Sequence, residues 1–232
     1  MMKTEVIVAL DFPGMAPALE LVGRLGDSVG WYKVGKQLFT LEGPAMVREL
    51  QRRGKRVFLD MKFHDIPNTV YGAVNSAAAI GADIINVHAS GGPAMLAAAA
   101  KAAAETGRKV IAVTVLTSMD QEQLEAVGVT ATPADQVVRL ARLTQAAGLA
   151  GVVCSPREVA LIRDACGPDF MTVVPGIRPL WAAAGDQKRI MTPGDAARAG
   201  ADYIVVGRPI TGAADPADAA RKIQAEIDGV SV

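Results

Sequence analysis

One short segment, Asp60-Met61-Lys62-Phe63-His64-Asp65-Ile66-Pro67-Asn68-Thr69, has charges spaced for chemistry. Two carboxylates bracket an ammonium as D-x-K-x-x-D, and such groups side by side are the materials of proton transfer and charge stabilisation. Side chains alternate along a strand, so an extended chain points Asp60 and Lys62 the same way. Asp65 stands three residues further on, past the expected strand end, where periodicity does not set its direction. Other polar residues follow or end apolar runs: Asp11, Lys33, Asn86 and His88, Thr117 and Ser118, Arg178 and Gln187, and Arg208. Two lysines and two aspartates gathered from three successive strands would be costly to hold unless paired. A purely structural ion-pair network is the plainer reading of the same residues.

The elements that must gather them are legible as an alternation. Short β-branched runs fall at residues 6–10, 31–35, 56–61, 84–88, 110–116, 151–155, 171–175 and 203–207. Their near-continuous apolar character fits parallel strands covered on both faces. Amphipathic helical patterns lie between and after them, at 17–25, 43–53, 69–80, 93–105, 133–147, 157–165, 192–199 and 216–227. Gly54, Gly81, Gly107, Gly148 and Gly200 close several of these, and Asp215-Pro216 reads as a cap followed by proline at the first helical position. Eight strand–helix units in 232 residues point to an α/β protein with a closed (β/α)8 TIM barrel, taken as one domain over residues 1–232. A doubly wound open sheet is the alternative, but no G-x-G-x-x-G follows the first strand. The stretch from Leu116 to Gly151 has room for a loop or small helix over the barrel mouth. Barrel active sites sit at the carboxyl ends of the strands, where the polar residues above fall. A phosphate is commonly held after strands 7 and 8, the position of Gly207 and Arg208.

Composition narrows the partners. Lys plus Arg and Asp plus Glu each total 24, so the chain lacks the basic excess that nucleic-acid polymers favour. With two histidines and two cysteines at no metal or redox spacing, no metal site is expected, and Cys154 and Cys166 read as incidental thiols. No apolar run reaches the roughly 18 residues of a membrane span. The opening residues read as a strand rather than a leader, so the cytoplasm is the expected compartment.

The strand-3 segment resembles the signature of the orotidine 5′-monophosphate decarboxylase family. The likeness extends over nearly the whole chain. It includes Ala9-Leu10-Asp11-Phe12, Lys33-Val34-Gly35, Thr117-Ser118, Pro175-Gly176-Ile177-Arg178-Pro179, Gly185-Asp186-Gln187-Lys188-Arg189 and Val206-Gly207-Arg208-Pro209-Ile210-Thr211. A related sugar-phosphate decarboxylase family shares the D-x-K-x-x-D, and the later segments point to the nucleotide enzyme.

The resemblance implies cofactor-free loss of CO2 from orotidine 5′-monophosphate, the last step of UMP biosynthesis. It implies Lys62 as proton donor to the pyrimidine carbanion, Asp60 beside the substrate carboxylate, and Lys33 holding Asp60 ionised and bonding the ribose. It also implies Asp65, with Ile66 and Thr69, as residues given to the partner's site in a homodimer. Asp11 would bind a ribose hydroxyl, and Thr117 and Ser118 the pyrimidine edge. Pro175, Arg178, Gln187, Gly207 and Arg208 complete the implied substrate-binding set, the last three at the phosphate. At about 4 Å and an effective dielectric near 20, one ammonium stabilises an adjacent anion by about 4 kcal/mol. Enzymes lower barriers by roughly 8–23 kcal/mol, so Lys62 does not act alone.

Rival readings are a decarboxylase of 3-keto-gulonate 6-phosphate type, which would want a divalent metal, a phosphate-binding isomerase or epimerase, and a non-catalytic nucleotide-binding barrel. His64 is expected to make local hydrogen bonds rather than react, and His88, with Asn86, to line the barrel mouth or support the charged network.

Overall fold

The computed structural model describes residues 4–182 and 191–230. The eight expected apolar runs are eight parallel strands: β1 Glu5–Ala9, β2 Trp31–Gly35, β3 Arg56–Phe63, β4 Ile84–His88, β5 Lys109–Val113, β6 Gly151–Val153, β7 Met171–Val174 and β8 Tyr203–Val206. They pair in chain order, and β1 closes the ring on β8 with Glu5 opposite Tyr203 and Val8 opposite Val206. Every strand is therefore bonded on both sides, and no edge is open.

Alternation along each strand sorts residues between two cores. Ile7, Trp31, Phe58, Ile84, Ile111, Met171, Val173 and Tyr203 fill the barrel interior. Val8, Tyr32, Val57, Ile85, Val110, Val152 and Ile204 face outward into the layer beneath the helices. Residues two places beyond the interior set keep the inward direction one layer higher. That puts Lys33 above Trp31, Asp60 above Phe58 and Asn86 above Ile84. The low end is closed by Trp31 and Tyr203, edge to face at 5.3 Å, with the Arg56 guanidinium 4.4 Å over the Trp31 ring. Glu5 accepts from both Trp31 Nε1 (3.2 Å) and Arg56 Nη2 (2.6 Å).

The expected helices form, with ends moved by one or two residues. The five glycines expected to close helices all have positive φ. Asp215 accepts from the Asp218 N–H at 3.0 Å at the start of the helix Pro216–Asp228. The long connection after β5 carries the short helix Gln121–Ala126, opened by an Asp120–Gln123 capping box. Two helices had no counterpart in the expected set, Lys36–Glu42 after β2 and Arg208–Thr211 after β8. β5 ends at Val113 rather than Leu116, β6 at Val153 and β7 at Val174. At Gly151 a Cβ would lie 2.0 Å from the Met171 carbonyl oxygen, so only glycine lets β6 approach β7.

Candidate active site

β3 departs from a regular strand where the charges lie. Its ladder with β4 runs through Phe58–Ile84 and Leu59–Ile85 and resumes at Phe63–Val87. Three residues, Asp60, Met61 and Lys62, thus stand opposite one, Asn86. The bulge is absorbed at Lys62, whose φ of 55° makes it the single non-glycine residue with positive φ among the described residues. That conformation costs an L-residue about 1–3 kcal/mol and persists only where its surroundings impose it.

What the bulge achieves is a continuous charge alternation. Lys62 Nζ donates to Asp60 Oδ1. Lys33 Nζ lies 3.5 Å from the other Asp60 oxygen and donates to Asp11 Oδ1 at 2.9 Å. Asp60 also accepts from Asn86 Nδ2 at 2.7 Å. Burial by itself would raise the Asp60 pKa. The charges of Lys33 and Lys62, with the hydrogen bonds from Lys62 and Asn86, outweigh burial and hold the carboxyl below the ordinary carboxylate range. Asp60 is therefore an anion at neutral pH, pinned between two cations.

Three of these groups wall a cavity of about 190 Å³ at the carboxyl end of the barrel. Lys33, Asp60 and Lys62 form its charged side, Phe58 and Val205 are among its apolar lining, and Thr117 and Pro175 reach it from beyond β5 and β7. Gly35 leaves space for the lysine, because a Cβ there would sit 2.8 Å from Lys33 Nζ and 3.3 Å from Asp11 Oδ1.

The remaining expected site residues lie around this centre. Ser118 is exposed beside Thr117 and does not line the cavity. Gly207 and the exposed Arg208 follow β8, and a Cβ on Gly207 would meet only Ala9 at 3.8 Å, so packing does not demand glycine there. Arg178 is buried, and its N–H donates to the Met191 carbonyl at 3.0 Å. Gln187 lies outside the described residues. Asp65, Ile66 and Thr69 are exposed, and Asp65 accepts from the Ile66 N–H at 2.7 Å rather than joining the charged chain. Asp65 and Ile66 instead line an open surface depression with His64 and Met95. His88 faces His64, ring centroids 5.6 Å apart. Burial first, then electrostatic interaction with His64, Lys62 and Lys36, pushes the His88 pKa down from 6.5 to about 4, so it is neutral at pH 7. Among the described residues, no group of three or more His, Cys, Asp and Glu side chains is placed to hold a metal ion, and no helix is long and apolar enough to cross a membrane.

The family model described as "Orotidine 5'-phosphate decarboxylase / HUMPS family" matches residues 4–223. The chain belongs to this family. Relatives named orotidine 5'-phosphate decarboxylase align over nearly all of the chain. The orotidine 5'-phosphate decarboxylase of Moorella thermoacetica is 53% identical over 236 residues, covering 98% of this chain and 94% of that protein. That of Haemophilus influenzae is 52% identical over 229 residues, covering 97% of this chain and all of its own length, 100%. The crystal structure of the enzyme of that name from Lactobacillus acidophilus superposes with a TM-score of 0.87 at 37% identity, over 97% of this chain and 100% of that one.

Two contributors are only partly legible in the sequence. For Asn86 the sequence leaves open lining the mouth or supporting the charged network, and the structure gives it the second role, as a polar side chain on the inward parity of a buried strand must find partners. Gly35 was noticed only as part of a motif, and nothing in one sequence marks a glycine as clearance for a side chain two residues away.

Proposed function

We propose that this chain converts orotidine 5′-monophosphate to UMP and CO2 without a cofactor, as the closing step of UMP synthesis. The observation that carries the reading is the Lys33–Asp60–Lys62 alternation along one wall of a mouth cavity, extended by the ion pair of Lys33 with Asp11. When the bond from ring carbon six to the carboxylate breaks, CO2 departs neutral and the bonding electron pair stays on the carbon. The Lys62 ammonium stabilises that charge and then gives it a proton, becoming an amine that solvent re-protonates. Asp60, kept ionised by its two lysines, stands beside the substrate carboxylate, and the repulsion ends as CO2 leaves. Lys33 and Asp11 hold the ribose, and Thr117 and Ser118 meet the pyrimidine with Pro175 beside it. Gly207, Arg208 and Gln187 take the phosphate, with Arg178 at the base of the segment that carries Gln187. Phosphate binding then supplies remote binding energy that orients and dehydrates the reacting carbon.

Residues 1–232 act as one domain, in the cytoplasm, and two copies share their sites. Asp65, Ile66 and Thr69 would complete the partner's charged array. Their exposure supports this, since Ile66 is 67% exposed, an expense for a large apolar side chain without a neighbour.

The test is an ultraviolet assay of orotidylate with and without a chelator. Loss of orotidylate absorbance, unchanged by chelation, is expected. No turnover, or turnover that a chelator abolishes, would reject the reading and favour metal-assisted sugar-phosphate chemistry.

A further inference from the structure

The bulge in β3 creates a bonding problem that its neighbour solves with a side chain. Three residues of β3 face Asn86 alone, and one backbone unit cannot satisfy three. Asn86 is fully buried. Its Oδ1 accepts the Lys62 N–H at 2.7 Å, and its Nδ2 donates to Asp60 Oδ1 at 2.7 Å. The two partners fix the amide orientation, because turning it over would set NH2 against N–H and oxygen against carboxylate. The same Asp60 oxygen receives the Lys62 ammonium, so the three residues form one closed loop of bonds. Asn86 does not line the cavity.

We infer that Asn86 is the positioning residue of the charged wall: its amide holds Lys62 in the left-handed conformation that returns the ammonium to Asp60, and it aims the Asp60 carboxylate. The inference rests on the proposed roles of Lys62 and Asp60. A residue that merely fills space would be replaceable by any side chain of equal volume. A positioning residue is replaceable only by one that both accepts and donates.

Two variants of the full chain separate these cases, with Lys62→Ala as control. Asn86→Leu keeps the branched heavy-atom shape, though with bulkier methyl groups, and removes both bonds. Asn86→Asp keeps the acceptor for the Lys62 N–H but turns an anionic oxygen toward Asp60. Only the protonated form of the new carboxyl restores both bonds. Charged and titratable groups near this position are Asp60 and Lys62 on β3, Lys33 on β2 and His88 on β4 itself. Ile111, its ladder partner on β5, and Val113 two residues on are uncharged. Burial and the adjacent carboxylate raise the pKa of the new acid, bringing its protonation within reach of mildly acidic assays.

With orotidine 5′-monophosphate as substrate, Asn86→Leu is expected to lower kcat by roughly 100-fold, the scale of an ångström-sized misplacement, while KM changes little. Asn86→Asp should be comparably slow near neutrality and should gain on the parent at least about tenfold as pH falls, as the acid protonates. Parent-like kcat in Asn86→Leu, or parallel losses of turnover and UMP affinity with no acid recovery in Asn86→Asp, would overturn the inference. If Asn86→Leu does not fold, the pH profile of Asn86→Asp decides alone. Retained turnover in Lys62→Ala would instead reject the proposed proton donor, so the two failures are told apart.

Discussion

Replacing Gly35 by alanine tests whether the site depends on where the Lys33 ammonium sits. Gly35 has ordinary extended torsions, φ −93° and ψ 179°, so an alanine backbone is unstrained there. The added Cβ would meet two atoms, Lys33 Nζ at 2.8 Å and Asp11 Oδ1 at 3.3 Å. Ordinary contact begins at 3.4 Å, so the ammonium must retreat by about 0.6 Å or more. Its distance to Asp60 is 3.5 Å now. At an effective dielectric near 20, stretching such a pair by about 1 Å weakens it by about 1 kcal/mol. Loosening the hydrogen bond to Asp11 adds about 1 kcal/mol. Expressed fully in the transition state, about 2 kcal/mol is roughly 30-fold, so kcat/KM for orotidylate should fall by about 10–100-fold. Stability should move less, because alanine restricts the unfolded chain and returns about 0.4–1 kcal/mol. The melting temperature then shifts by only a few degrees. The decisive comparison is a double-mutant cycle, since without the lysine there is no ammonium to collide with. In a Lys33→Ala background, Gly35→Ala should stabilise slightly or do nothing. Parent-like activity in the single variant, or the same thermal penalty with and without Lys33, would refute the reasoning.

Three further outcomes are expected. His88, with its pKa lowered from 6.5 to about 4, contributes stability that is complete above 6.5 and drains away as pH falls toward 4, because the unfolded chain takes up the proton first. Denaturant unfolding across that range should show the slope, and His88→Gln should flatten it; an unchanged slope would assign it to other groups. Mixing inactive Lys62→Ala and Asp65→Ala proteins should restore about one complete site per mixed dimer if Asp65 serves the partner. No recovery despite demonstrated subunit exchange would place Asp65 in its own subunit's site. Arg208→Ala should raise KM for orotidylate by roughly 10–100-fold, the worth of a charged hydrogen bond, and leave affinity for the phosphate-free nucleoside nearly unchanged. Equal weakening of both ligands would contradict a phosphate contact.

The barrel was legible because its causes are local. Parallel strands buried on both faces read as apolar runs, and glycines with positive φ mark where the helices stop. Lys33, Asp60 and Lys62 were legible as site residues because charge at the end of such a run is expensive unless used. Their geometry was less so. Period-two alternation put Asp60 and Lys62 on one face, and they do meet, but through a bulge and a left-handed lysine that regular strand rules do not contain. The bulge depends on the register between β3 and β4, a relation between segments more than 20 residues apart. The short helix Lys36–Glu42 was hidden for a different reason. Seven residues between Gly35 and Gly43 are too few for a clear period, and its sole buried residue is Leu38. The phosphate end was legible only by family resemblance, because an exposed arginine after a strand is common on any surface.

The edge-to-face rings and the Arg56 guanidinium that close the low end of the barrel have a consequence for traffic. With that floor closed among the described residues, a reactant would enter at the rim formed by the strands' carboxyl ends. A molecule settling across the rim would block arrival and departure together.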